Sequence, residues 1–222
     1  MFNPSENLIA SHDADASRTT PEFSPEQRKF LLTIAHEAIA SKIAGKPLPG
    51  TPPSSAPARV WAPLQEPRGV FTTLYLHGDL RGCVGYAAPI RSLLQAVAET
   101  ACAAAFDDSR FQPVSAAELP ELKISLSVLS QLFPIDAPRV EVGRHGLVIS
   151  DGMRRGLLLP QVPAEHGWER EAFLEQTCRK AGLPMDAWRH SAKIEAFTAE
   201  VFSDDEPGDD EPGRDGLSGR QS

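Results

Sequence analysis

Hydrophobic and polar positions change period several times along the chain, and each change marks an element. After Ser24 the apolar residues Phe30, Leu31, Ile34, Ala38 and Ile39 recur at helical spacing. Ser24 is placed to cap that helix, Pro25 suits its first position, and Gln27 completes a capping box. Gly45 and Pro47 stop it. Residues 45–67 are dense in turn formers (KPLPGTPPSSAPA) and read as an extended loop, in part polyproline.

The period then falls to two. Val70, Thr72, Leu74 and Leu76 alternate with Phe71, Thr73 and Tyr75. His77-Gly78-Asp79 turns, and the chain returns as LRGCVGY, a hairpin. Ala87-Ala88-Pro89 leads into a helix over residues 90–105, with Leu93, Leu94, Val97, Ala101, Cys102 and Ala105 on its apolar face. Leu122, Ile124, Leu126 and Val128 alternate with Lys123, Ser125 and Ser127 as a strand. Segments 145–149 and 156–159 form a second hairpin around Ser150-Asp151-Gly152. A helix over 168–181 turns Phe173, Leu174, Thr177 and Cys178 inward, carries Arg179-Lys180 in its last turn and stops at Gly182. Residues 193–202 alternate as a last strand, with Phe197, Ala199 and Val201 on one face. Helices and antiparallel hairpins mix without a βαβ rhythm, so the fold class is α+β, antiparallel sheets with packed helices.

Charge sharpens the domain boundaries. The net charge is −8, but residues 1–22 carry −3 and residues 204–222 carry −5. The segment 23–203 is therefore neutral. Both ends are polar, the second repeats DDEPG, and neither can bury enough surface to offset ordering entropy. They read as disordered tails around one folded unit, 23–203. A neutral folded unit with 7% aromatic residues argues against a nucleic-acid partner. No apolar run is long enough to span a bilayer. The start of the chain has no basic segment followed by an apolar one, and three unpaired cysteines fit a reducing compartment, so the cytoplasm is expected.

The chemistry concentrates at Leu80-Arg81-Gly82-Cys83-Val84-Gly85. Two glycines bracket a thiol, and an arginine precedes it. A thiol near Arg81 and ahead of a helix is a candidate nucleophile with a lowered pKa. His77, His145 and His166 are candidate bases. The bland alternative is a buried cysteine in a strand whose glycines mark a bulge. Cys102 and Cys178 lie on apolar helix faces and read as core. Metal-site patterns are missing: His36-Glu37 lacks the second histidine of a zinc helix, and Asp107-Asp108 reads as a helix-end cap. Asp151-Gly152 reads as the turn of its hairpin, and Arg154-Arg155 as solvated surface.

These residues also carry a resemblance. The chain resembles the AMMECR-one domain family, whose hallmark is LRGCIG, and in particular its bacterial form, AmmeMemoRadiSam system protein A; here Val84 replaces the isoleucine. GVFTTLYLHGDLRGCVGY, AAAFDDSRFQPVSAAELPELKISLSVLS, VEVGRHGLVIS, GLLLPQVPAEHGW and FLEQTCRKAGLP match family blocks in family order across 24–203. Ser109 stands where the family often has proline.

The resemblance implies two unequal lobes with a cleft between them, and a cytosolic protein working beside a Memo-like protein and a radical SAM protein. It supplies a setting and no reaction. By carry-over the candidate site is Cys83, as the catalytic atom, with Arg81, Gly82, Gly85, Asp108, Arg110 and Gln161 as binding residues and a small anionic ligand held by Arg81. Two functions stand open. In one, an enzyme or substrate-binding subunit acts with those partners through the LRGCVG turn. In the other, the turn is a docking element of a non-catalytic adaptor.

Overall fold

A computed structural model describes residues 21–49 and 58–205. Helix α1 spans Pro25–Ile43 with its capping box complete: Ser24 accepts from the Gln27 backbone and the Gln27 side chain accepts from the Ser24 backbone. Helix α2, Ala58–Gln65, falls where a loop was expected. Trp61 and Leu64, three residues apart, are both buried, and that burial stabilises a short helix despite Pro63. The Trp61 ring meets Phe30 edge-on at 4.6 Å.

Strands β1 (Val70–Leu76) and β2 (Asp79–Tyr86) form the expected hairpin. His77 and Gly78 turn it with positive φ, 54° and 89°. That is the backbone of a two-residue turn matching strand twist. Helix α3 is Leu93–Phe106, three residues shorter at its start than the pattern suggested, because Ser92 caps it by accepting from the Gln95 backbone. Strand β3 is Leu122–Leu129 and the short β4 is Phe133–Pro134. The second hairpin is β5 (Gly146–Asp151) and β6 (Arg154–Leu158), with Gly152-Met153 at the tip. Helices α4 (Gln161–Glu165) and α5 (Arg170–Lys180) follow.

The last strand breaks in two. β7 (Lys193–Phe197) and β8 (Ala199–Ser203) belong to different sheets, and Thr198 carries the chain across. The break resets the alternation. Val201, expected on one face with Phe197, is 56% exposed, while Phe197 and Phe202 are buried.

The sheets run β2-β1-β3-β8 and β4-β7-β5-β6, with every pairing antiparallel. The first sheet packs one face on α1 and α3, around Leu31, Ile39, Leu74, Leu94 and Ile124. The second packs on α5, around Ile149, Phe173, Leu174 and Cys178. The two sheets meet at Leu129, Val148 and Phe197, against which Phe71 and Ala199 pack. This is the α+β class.

Inner ends of both expected tails are held. Glu22 pairs with the buried Arg68, and its backbone N–H donates to Glu200. Asp204 accepts from the Ile124 backbone at 2.7 Å and from His36 Nε2 at 2.8 Å. Residues 1–20 and 206–222, which make up the rest of those tails, lie outside the described residues. Among the described residues no helix is long and apolar enough to cross a membrane.

Candidate functional site

LRGCVG is a strand, not a turn. All six residues lie in β2, at the edge of the first sheet. The register explains what each one does. Leu74 pairs with Gly82 but Tyr75 pairs with Leu80, so Arg81 is an extra residue, a bulge. Beyond it, Gly82, Val84 and Tyr86 pair with Leu74, Thr72 and Val70 and face the helices. Cys83 and Gly85 pair with Thr73 and Phe71 and face the opposite way.

The two glycines are there for close approach. A methyl on Gly82 would run into the Ala104 carbonyl of α3, so the helix rests directly on the strand. A methyl on Gly85 would run into the Val70 carbonyl and the Phe71 ring. Neither glycine is a ligand contact in itself; both set how closely neighbours approach Cys83.

Arg81 is directed away from Cys83. Its Nε donates to Glu118 at 2.7 Å and its Nη2 to the Pro113 carbonyl at 3.4 Å. Glu118 also accepts from the Ser115 backbone and hydroxyl. Arg81 first, then those bonds, hold the Glu118 carboxyl at about 2. Arg81 is thus half of an ion pair pinning the loop after α3, rather than a free cation for an anion.

Asp108 and Arg110 do reach Cys83. Asp108 accepts the Cys83 backbone N–H at 2.9 Å, which satisfies a donor on the open edge of β2. Arg110 grips the same carboxylate with Nε at 3.0 Å and Nη2 at 2.7 Å. The arginine, aided by the backbone donors, holds Asp108 at about 2. The pair is a clamp between the loop and the strand. Gln161 is exposed at the start of α4, beyond the other sheet, and makes no hydrogen bond to this group among the described residues.

The thiol itself is half-buried. Thr73 donates to its sulfur at 3.4 Å, as cross-strand neighbours at a non-hydrogen-bonded position do. Burial pushes the Cys83 thiol up, against the lowering expected from a nearby arginine. The Thr73 bond and the Arg110 charge pull it down by less, and the Asp108 charge adds to the rise. No candidate base stands beside it. His77, at the hairpin tip, meets Glu121 at 3.2 Å. His145 is buried and accepts from the Glu141 backbone at 3.1 Å. His166 stacks on Trp168 at 4.6 Å. Cys102 and Cys178 are core, as their helix positions implied.

Sheet order adds residues that the motif does not contain. Thr73 pairs with both Cys83 and Ser125, and Ser125 pairs with Ser203. Cys83, Thr73, Ser125 and Ser203 therefore form one row across all four strands. The neighbouring row is Gly85, Phe71, Ser127 and Val201. Both rows lie on the face turned away from α1 and α3. The alternating serines of β3 were visible in the sequence as its polar side, but nothing there aligned them with Cys83. Among the described residues no three His, Cys, Asp or Glu side chains converge as metal ligands would.

Comparison with known proteins places this geometry. The AMMECR1 family model matches residues 32–202. Protein TK0174 of Thermococcus kodakarensis is 42% identical over 194 residues, covering 82% of this chain and 92% of its own. Protein MK0488 of Methanopyrus kandleri is 41% identical over 202 residues, covering 86% and 94%. The crystal structure of the uncharacterized protein PH0010 from Pyrococcus horikoshii superimposes with a TM-score of 0.60 at 39% identity, covering 82% of this chain and 94% of that one.

Proposed function

The chain belongs to the AMMECR1 family, and from that premise we propose that it is a binding subunit. Its recognition surface is the Cys83 row of the first sheet, on the face turned away from α1 and α3. It acts beside Memo-like and radical SAM proteins, in the bacterial form of the family called AmmeMemoRadiSam system protein A.

One observation carries this reading: Cys83 sits in a row with Thr73, Ser125 and Ser203 on the sheet face turned away from α1 and α3. The row presents a thiol and three hydroxyls, each a donor and an acceptor. The nearby arginines come already paired, Arg81 with Glu118 and Arg110 with Asp108. The face thus offers neutral hydrogen bonding rather than a cationic site. Polar backbone and amide groups of a partner protein match it better than a small anion does. With its pKa raised and no imidazole at hand, Cys83 serves as a packing and hydrogen-bonding residue of that face.

Alkylation of each cysteine against pH, mapped by mass spectrometry, tests the cysteine's role. Cys83 is expected to react with an apparent pKa at or above ~8.5, with Cys102 and Cys178 protected. Binding to a purified Memo-like partner tests the surface. Ser125→Arg, which blocks the row, is expected to abolish it, and Cys83→Ser to preserve it. A Cys83 that titrates as a thiolate well below ~8.5, or binding lost with Cys83→Ser but kept with Ser125→Arg, would put an enzyme with a nucleophilic cysteine in its place.

A further inference from the structure

We propose that a second site lies in the cavity of about 620 Å³ beside β4 and β7, and that it takes a zwitterion with an apolar side chain, an amino acid or a dipeptide. The cavity lies outside LRGCVG and outside the Cys83 row of the first sheet. Its size is within the ~300–1,000 Å³ typical of small-molecule sites. Ile135, Ala192, Ile194 and Trp188 supply an apolar wall, and Asp136 and Arg139 line the same space.

The two charges are the informative feature. Asp136 caps and Arg139 ends a single turn of 3₁₀ helix, Ala137–Arg139, in which the Arg139 N–H donates to the Asp136 carbonyl at 2.9 Å. Residues three apart in such a turn project to the same side. Yet Asp136 and Arg139 do not pair with each other, and neither side chain has another partner among the described residues. Charges around them are satisfied. Arg189, over the Trp188 ring, pairs with Glu171 at 3.2 Å. Lys193 pairs with Glu195 at 2.6 Å. Arg170 donates to the Pro138 carbonyl at 2.8 Å.

An unpaired carboxylate and an unpaired guanidinium beside one apolar wall are the complement of an ammonium and a carboxylate on one apolar body. Asp136 takes the ammonium, Arg139 takes the carboxylate in a bidentate grip, and the side chain lies against Trp188 and Ile194.

The test uses the full chain and ligand-observed NMR, with L-phenylalanine and L-leucyl-L-phenylalanine as probes. N-acetyl-L-leucyl-L-phenylalaninamide, which lacks both charges, is the control. At least one zwitterion is expected to bind with a Kd of about 1 mM or tighter. The neutral control is expected to bind at least about fivefold more weakly, the scale of one exposed ion pair. Asp136→Asn and Arg139→Gln, both surface changes that leave the fold intact, should each weaken the zwitterion by about fivefold and leave the control unchanged. Binding by phenylalanine alone assigns the site to free amino acids, and binding by the dipeptide alone assigns it to peptides. No binding of either probe at about 10 mM, equal binding of the neutral control, or indifference to both substitutions would overturn the proposal.

Discussion

Single residues decide how Cys83 is presented. Gly82 lets α3 lie directly on β2, and Gly85 does the same for the Phe71 ring. Replacing Gly82 with alanine puts a methyl against the Ala104 carbonyl, which belongs to a helix backbone and cannot step aside cheaply. Overpacking of that kind costs about 3 kcal/mol. Gly82→Ala is therefore expected to lower the melting temperature by roughly 10 °C, measurable by calorimetry. A substitution within experimental error of the parent chain would show that α3 does not rest on the strand. This clustering of special residues was legible in the sequence. The role of Arg81 was not, because its partner Glu118 is 37 residues away and a bulge turns the side chain aside.

Elements were readable where one pattern dominated. The capping box of α1 and the strict alternation of β3 are local signals, and both are present in the structure. Helix α2 was hidden. Prolines surround it and one lies inside it, so local propensity argues against a helix. What overrides propensity is burial of Trp61 and Leu64 against the layer formed by α1 and α3. The only local trace was the spacing of those two residues. Trp61→Ala is expected to cost about 4 kcal/mol and to loosen this helix selectively. Hydrogen exchange should show faster exchange over 58–65 than over α1. Unchanged protection there would mean that propensity, not Trp61, sets the helix.

The whole molecule responds to pH through its clamps. Asp108 and Glu118 are both held at about 2, below their ordinary values, by Arg110 and Arg81. A depressed carboxyl pKa means the unfolded chain takes up protons first as pH falls. Stability from the two clamps is thus complete above about 4.5 and drains away toward about 2. Solvent screening limits each to about 1 kcal/mol or less. His145 starts the decline earlier. Burial lowers its pKa, so protonation below its ordinary 6.5 favours the unfolded chain. Unfolding by denaturant should therefore show falling stability from pH 7 to pH 3. The double substitution Asp108→Asn, Glu118→Gln should flatten the lower part of that curve; an unaltered slope would remove the clamps as its cause.

Local patterning along the chain was enough for the elements with strong periods, the α+β class, the buried state of Cys102 and Cys178, and the stretch where special residues gather. Those follow from local sterics, capping and amphipathic alternation, which act within a few residues of chain. Long-range packing set the sheet order that aligns Cys83 with Thr73, Ser125 and Ser203. It also set the crossing of Thr198 between sheets, which exposes Val201 and buries Phe202. Burial by that packing sets the direction of the Cys83 pKa. These depend on which distant segments share a register and how much solvent they exclude. Alternation along one strand says which face a residue takes, but carries no information about its neighbour on the next strand.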